Sequence, residues 1–177
     1  MPRIQPLRSE EYSPDIQLAF QKHVQEYQAR ITNMKASLGH SLLAFEVYMQ
    51  WYPLYQEVEK IVGKRGAYLF AYAISTGSDC PLCSTFFRRI LIEAGEQPDS
   101  LHLQTSEQEL LDFGSAIAQN KGIVSDELFE RTAGRYSTRE MVILIAFAGQ
   151  MIATNVFNNV IETEIDEYLI PYLKPIP

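Results

Sequence analysis

Apolar residues recur at steps of three and four along nearly the whole chain, and alternating apolar–polar patterns are absent. Between residues 14 and 35 this spacing links Ile16, Phe20, Val24, Tyr27 and Ile31. Such a stripe covers one face of an α-helix, whereas a half-buried strand requires alternation. We therefore expect an all-α protein, a bundle of about seven or eight helices.

Start and stop signals divide this pattern into separate helices. Ser13 followed by Pro14 is typical of a helix start, and Ser137 to Glu140 has the spacing of a capping box. Residues 66–77 are apolar all round and fit a helix or a strand, but the neighbouring helices favour a helix. The predicted helices cover about 14–35, 38–51, 53–62, 80–94, 105–119, 125–132 and a long stretch after 137.

Length and charge limit the organisation and the partners of the chain. The 177 residues can bury one ordinary core, so we expect a single domain over 1–177 with a loose N-terminal arm over about 1–13. The net charge is −7 without a basic stripe, which argues against nucleic acid as a partner. We find no apolar run near the roughly 20 residues of a membrane span, and no signal-peptide core. We expect a soluble, cytoplasmic protein.

The chain has only two cysteines, Cys80 and Cys83, within "SDCPLCSTFF". In a reducing compartment, a close pair is more often redox-active or metal-binding than a structural crosslink. The pair begins a predicted helix that Ser78 or Asp79 could cap. Free backbone N–H groups there lower a thiol pKa, although the Asp79 carboxylate acts against this. One sulfur of such a pair can attack a substrate and the other can resolve the product.

The residues alone allow further roles for the cysteine pair. A thioredoxin-like motif needs a strand leading into it, which the sequence does not predict. A structural zinc needs four ligands, and the three histidines have no paired ligand spacing; they are His23, His40 and His102. We therefore expect neither a metal nor a cofactor. The two cysteines could also be small buried hydrophobic residues.

A C-x-x-C at the start of a helix, in an all-α domain of this size, resembles the carboxymuconolactone decarboxylase and alkylhydroperoxidase D-like superfamily. "LGHSLLAFEVYMQWYPLYQEV" is similar to the early helix pair of that family. The segment from Leu103 to Ile161, which ends in "ATNVFNNVI", is similar to its C-terminal helices. The resemblance covers about residues 38–162.

The resemblance implies a homo-oligomer, commonly a trimer or hexamer, with antioxidant chemistry that cycles a disulfide. Cys83 would attack a hydroperoxide, and Cys80 would resolve the sulfenic acid. A thiol reductant protein would then restore both thiols. Such a protein would be a thiol-dependent peroxidase or a disulfide reductase.

The chain departs from the proton relay that redox members of this family carry. Phe87 occupies the position of the usual histidine, and the usual glutamate would fall near Tyr68. Tyr68 or Tyr72 could donate a hydrogen bond, but a phenol is a poor base at neutral pH. We expect Arg88 and Arg89 to be solvated helix residues.

The local sequence predicts the environment of several further polar residues. His40 could line a pocket with Tyr68, Tyr72 and Phe87, although a hydrogen-bonded or capping role fits His40 better. We expect His23 to be exposed on its helix. A second set of polar residues is expected to form hydrogen bonds across helices or to line an interface: Asn155, Asn158 and Asn159.

Two alternatives to the redox function remain open from the sequence. A decarboxylating lyase of the carboxymuconolactone type would use polar and basic pocket groups and would not need the cysteine pair. A catalytically inactive oligomer that binds a small molecule or a partner would be consistent with the missing histidine and glutamate.

Overall fold

The computed structural model describes residues 1–174, and within this range the chain forms eight α-helices and no β-strand. The all-α prediction is confirmed. The helices are α1 (Pro14–Tyr27), α2 (Asn33–Leu38), α3 (Leu42–Met49), α4 (Trp51–Gly77), α5 (Pro81–Glu93), α6 (Thr105–Gln119), α7 (Asp126–Ala133) and α8 (Thr138–Ile161). Short 3-10 helices lie at Ser9–Glu11 and Glu167–Tyr172.

The main core lies where α4 packs against α5, α6 and α8. Phe70 of α4, Phe113 of α6 and Phe147 of α8 are fully buried there, and the rings of Phe70 and Phe147 lie 6.0 Å apart. A second cluster joins α1, α2 and α3 around Phe20 and Phe45. Helix α5 begins at Pro81, a short turn after α4 ends at Gly77. The cysteine motif therefore lies beside the main core.

Helix α4 joins two segments that the sequence pattern separated. Pro53 lies in its first turn, where a missing backbone N–H removes no helical hydrogen bond. Gly63 has a positive φ of 73°, outside helical geometry, so two helical segments meet there at a kink, in line with the end predicted near this glycine. Residues 66–77, which could not be assigned from periodicity, form the second half of α4.

The helix predicted over 14–35 is wrong in its extent, because α1 ends at Tyr27 and Gln28 adopts a left-handed conformation with φ 50°. The helix predicted from residue 38 begins at Leu42, since Ser41 is its N-cap and accepts a hydrogen bond from the Ala44 amide. In both places the apolar spacing continues through a turn, so periodicity alone gave no boundary.

The N-terminal arm is packed against the body of the protein, contrary to the loose arm expected. The Arg3 amide donates to the Ile161 carbonyl across 2.8 Å, and the Arg3 guanidinium pairs with Glu162 at 2.7 Å. The Leu7 amide donates to the Ala36 carbonyl across 3.3 Å. These contacts hold the arm to the end of α8 and to α2.

Helix α8 is long and apolar enough, by length and composition alone, to cross a membrane, with a mean hydropathy of 1.6. The expectation that no apolar run approaches the length of a membrane span is therefore wrong for α8. Leu144, Phe147 and Ala148 of α8 are fully buried against the rest of the protein. One face of the helix is thus packed in the core, while Val142, Val156 and Val160 are exposed on another. The predicted capping box of Ser137 and Glu140 begins it.

Candidate functional site

Cys80 is the N-cap of α5, Pro81 is its first residue, and Cys83 lies within the first turn. The prediction that Ser78 or Asp79 caps this helix is wrong, since both residues precede the cap and Asp79 has a left-handed φ of 48°. Both cysteines are buried and neither is in a disulfide. The start of α5 therefore places the two thiols side by side.

The two thiols differ in their electrostatic surroundings. The neighbouring Cys83 side chain first, and then the backbone N–H groups of Cys83 and Leu82 at the start of α5, lower the pKa of Cys80 against the opposing effect of burial. The neighbouring Cys80 and burial raise the pKa of Cys83, and only Asn158 acts in the opposite direction. Negative charge on the pair is therefore favoured on Cys80 in the resting site.

Two asparagines of α8 hold the start of α5. Asn158 donates from Nδ2 to the Cys83 sulfur across 3.2 Å, and Asn159 donates to the carbonyls of Ser78 and Asp79, each at 3.2 Å. The expectation that these side chains bond across helices is confirmed for both. Asn155 is fully buried, and neither of its side-chain polar atoms has a partner among the described residues.

A cavity of about 110 Å³ opens beside Cys83. Cys83 and Asn158 line it, whereas Cys80 does not. A cavity of roughly 150 Å³ can hold a benzene ring, so this one fits a small molecule. Its apolar walls come from five helices and the C-terminal segment: Met34, Tyr48, Met49, Trp51, Tyr52, Leu82, Phe86, Phe87, Met151, Tyr168 and Leu169.

A buried lysine lines the same cavity and was not predicted from the sequence. Lys35 of α2 is 5% exposed, and its Nζ donates to the Arg30 carbonyl at 2.7 Å and to the Tyr52 hydroxyl at 2.8 Å. Burial lowers the pKa of Lys35 to about 8, against the opposing effect of Asp166. The only sequence signal was a lysine four residues after Ile31, on the apolar spacing.

A wider cleft of about 580 Å³ adjoins this cavity and shares Lys35, Tyr52 and Phe87 with it. Its other walls include Arg30 and Arg89, so it is more polar than the inner cavity. Lys35 therefore borders both the space beside Cys83 and the outer cleft.

The four residues proposed as a pocket are separated in the structure. Phe87 lines both spaces, and Tyr68 lines the outer cleft only. Tyr72 and His40 line neither of them. His40 is exposed, with its Nε2 at 2.9 Å from the Gln5 carbonyl, in line with the hydrogen-bonded role that the sequence favoured.

Three charged or titratable residues differ from their predicted environments. Arg88 is buried and forms a two-point pair with the Asp99 carboxylate at 2.6 and 3.0 Å. Arg89 is half-buried, and its guanidinium lies over the ring of Phe86 at 5.3 Å. His23, expected on the surface, is buried; burial first and the Lys35 charge second lower its pKa to about 4.

Within residues 1–174, no group of three or more His, Cys, Asp or Glu side chains is arranged to hold a metal ion. The cysteine pair has no histidine or carboxylate beside it to complete a tetrahedral site. The reactive and polar groups of the site are therefore its thiols, its lysine and its amides.

The fold was compared with known proteins. No family model matches the chain, and no curated protein matches it. Several solved structures match, and the three described below match over nearly the whole length. The chain has the carboxymuconolactone decarboxylase and alkylhydroperoxidase D-like fold.

The first of these structures is a variant of the debrominase Bmp8 in complex with 2,3,4-tribromopyrrole. It is 14% identical, with a TM-score of 0.78, and the match covers 96% of this chain and 94% of that one. The ligand-free debrominase matches at 15% identity and a TM-score of 0.76, over 96% and 95% of the two chains. An uncharacterized peroxidase-related protein from Silicibacter sp. TM1040 matches at 12% identity and a TM-score of 0.72, over 94% of each chain. At these identities the likeness concerns the fold.

Proposed function

We propose that the protein is a thiol-dependent oxidoreductase of the alkylhydroperoxidase D-like kind, which reduces small apolar electrophiles and forms a disulfide between Cys80 and Cys83. Organic hydroperoxides are the proposed substrates. The observation that carries this proposal is the position of the two cysteines: Cys83 lines an apolar cavity, and Cys80 lies beside it at the start of the same helix, in one buried cluster.

The pair supplies a way to activate Cys83 without the usual histidine and glutamate. The resting charge is favoured on Cys80, because the Cys83 side chain and the helical N–H groups lower its pKa. Cys80 can therefore accept the proton of the neighbouring Cys83. The amide of Asn158 then stabilises the thiolate on Cys83. In this scheme Cys80 acts as the local base and afterwards as the resolving thiol.

The reaction is balanced in two steps. The Cys83 thiolate attacks the terminal oxygen of ROOH, the O–O bond breaks, and one proton is taken up by the leaving alkoxide, which gives Cys83 sulfenic acid and ROH. The Cys80 sulfur then attacks the Cys83 sulfur, which forms the disulfide and releases water. Two electrons pass from the thiol pair to the peroxide.

A complete cycle requires a reductant. An external dithiol, such as that of a small thiol protein, would attack the disulfide and return both cysteines to the thiol state. The cavity that Cys83 lines offers the reductant an approach to the pair. A reducing compartment such as the cytoplasm would maintain the cycle.

A second substrate class is favoured by the shape and chemistry of the cavity. The space is small, apolar and lined by aromatic rings, and a structure with the same fold is a debrominase in complex with 2,3,4-tribromopyrrole. Here the Cys83 thiolate would take bromine from the ring, the ring carbon would gain a proton, and Cys80 would then displace bromide to form the disulfide. Bromide release from 2,3,4-tribromopyrrole by the reduced protein tests this candidate.

The two alternatives predict different behaviour of the thiols. A lyase would use Lys35, the one cation among the described lining residues of the inner cavity, and would not consume the cysteines. An inactive binding protein would keep both thiols in the presence of peroxide. The adjacency of Cys80 to the cavity-facing Cys83 favours the oxidoreductase over both.

The test is a titration of the reduced protein with one equivalent of ethyl hydroperoxide, followed by a thiol count and peptide mass analysis. We expect loss of two thiols and a disulfide between Cys80 and Cys83. Cys80→Ser should stop at a sulfenic acid on Cys83 that dimedone traps, and Cys83→Ser should not react. Survival of both wild-type thiols would overturn the proposal, and oxidation of Cys83→Ser at Cys80 would reverse the two roles.

A further inference from the structure

Lys35 is an ammonium group enclosed by the protein at the wall of the Cys83 cavity. An ammonium has three N–H groups, and burial without partners is costly. Among residues 1–174 the Lys35 Nζ has two acceptors, the Arg30 carbonyl and the Tyr52 hydroxyl. One N–H therefore remains for a further acceptor, and the cavity is the space beside it.

The charged and titratable groups around Lys35 come from three other parts of the chain. Tyr52 belongs to α4, His23 to α1, and Asp166 lies after α8. His23 is neutral at physiological pH because its pKa is lowered, and burial raises the pKa of both Tyr52 and Asp166. Lys35 itself stays charged at neutral pH, and its lowered pKa makes it a better proton donor than an exposed lysine.

On the function proposed above, we infer that Lys35, oriented by Tyr52, is the catalytic acid that protonates the leaving group when Cys83 attacks its substrate. Both side chains line one cavity of about 110 Å³, so a molecule that fills it touches both. The rest of the lining is mostly apolar, and in such surroundings an alkoxide leaving group depends on a proton from the protein.

Atoms and electrons balance in this step. The Cys83 thiolate bonds to the terminal oxygen of the hydroperoxide, the O–O bond breaks, and the alkoxide takes a proton from Nζ of Lys35. The products are Cys83 sulfenic acid, the alcohol and neutral Lys35, which regains a proton from solvent through the outer cleft. No further oxidant or reductant takes part.

The other candidates for this proton are less suited. Tyr52 has a pKa above the usual range of a phenol, so it holds its proton firmly and acts as the positioning residue for Lys35. Cys80 does not line the cavity. Asn158 has no proton to give at physiological pH, and it already donates to Cys83.

Two substrates of nearly the same size separate general acid catalysis from a structural role. Ethyl hydroperoxide expels ethoxide, a strong base that must be protonated, whereas peracetic acid expels acetate, a weak base that need not be. Single-turnover oxidation can be followed by stopped-flow fluorescence of Trp51, the only tryptophan, which lines the cavity. Peptide mass analysis then confirms that Cys83 has reacted.

We expect Lys35→Met to slow the reaction with ethyl hydroperoxide by about 100-fold or more, and that with peracetic acid by less than about threefold. Lys35→Gln should show the same selective loss if Lys35→Met fails to fold, because an amide can still bond to Tyr52 but cannot give a proton. Tyr52→Phe should have a smaller effect in the same direction.

The outcomes distinguish this inference from the function on which it rests. Equal slowing with both peroxides, or no slowing with either, overturns the role of Lys35 while the thiol chemistry stands. If the wild-type thiols react with neither peroxide, the proposed function itself fails.

Discussion

The Asn158 side chain donates a hydrogen bond to the Cys83 sulfur across 3.2 Å and so links α8 to the start of α5. A hydrogen bond to a charged acceptor contributes about 1.5–3 kcal/mol, which corresponds to about one to two pKa units. Asn158→Leu should therefore raise the pKa of Cys83 by about that amount and slow its alkylation at pH 7 by about tenfold or more. The pH dependence of the iodoacetamide reaction, with the modified cysteine located by mass analysis, measures this.

Asn155→Leu is the matched control, since Asn155 lies one turn earlier on the same helix and has no bond to either sulfur. Its alkylation profile should match that of the wild type. Equal pKa values for Cys83 in the wild type and in Asn158→Leu would contradict the role of this hydrogen bond.

His23 should make the protein less stable in mild acid. Its pKa in the folded state is depressed from 6.5 to about 4, so between these values the unfolded chain binds a proton that the folded chain does not. The free energy of unfolding should therefore fall as the pH is lowered from 6.5 to about 4, by a total of at most about 3 kcal/mol. Above pH 6.5 His23 makes no difference to the slope. Urea unfolding at a series of pH values measures the slope.

In His23→Leu this part of the slope should disappear, and the exposed His102 provides the control variant, His102→Gln. Protonation of carboxylates also changes the free energy of unfolding in acid, but this effect is the same in the wild type and in both variants. An unchanged slope in His23→Leu would show that His23 does not titrate in this way.

Gly114 allows α6 to approach α4 closely. A Cβ at this position would lie 2.9 Å from ring carbons of Phe70, which is fully buried, and 3.1 Å from Ile74. Gly114→Ala should therefore destabilise the protein by about 1–3 kcal/mol in spite of the better helix propensity of alanine. Gly149 in α8 is the contrasting position, because a Cβ there meets no atom within 4 Å. Gly149→Ala should be neutral or stabilise by up to about 1 kcal/mol in the same thermal unfolding assay.

We expect the protein to be a homo-oligomer, as the family resemblance implies. Large apolar side chains are exposed on α3 and α8, among them Leu43 at 71%, Val156 at 53% and Val160 at 57%. Light scattering after size-exclusion chromatography should give the mass of a trimer or hexamer. The double variant Val156→Glu and Val160→Glu should elute as a smaller species. A monomeric wild type at micromolar concentration would exclude this expectation.

The sequence was most informative where local chemistry decides the structure. Ser137 and Glu140 predicted the start of α8, and the helix predicted from residue 125 begins at the N-cap of α7, because a helix cap depends on residues within one turn. The pair of Cys80 and Cys83 predicted two adjacent thiols at a helix start for the same reason. The all-α class followed from periodicity repeated over many turns, which no single exception can mask.

The apolar periodicity did not predict a helix boundary where a turn preserved the same spacing. Residues 14–35 carry one continuous stripe, yet Gln28 in a left-handed conformation ends α1 at Tyr27. Glycine and proline gave better boundaries. Gly63 has non-helical geometry and separates the two halves of α4, and Pro53 lies in the first turn of α4, just after α3 ends at Met49.

The environments of the site residues were decided by tertiary structure. Lys35 and His23 carry polar side chains that are usually exposed, but α1, α2 and α4 enclose them together with Tyr52. Which sulfur faces the cavity also depends on residues far apart in the chain, since Asn158 is 75 positions away from Cys83. The sequence by itself determined the helical class and the paired thiols, because both arise from neighbours along the chain. The burial, charge and accessibility of those thiols were decided only when distant helices packed around them.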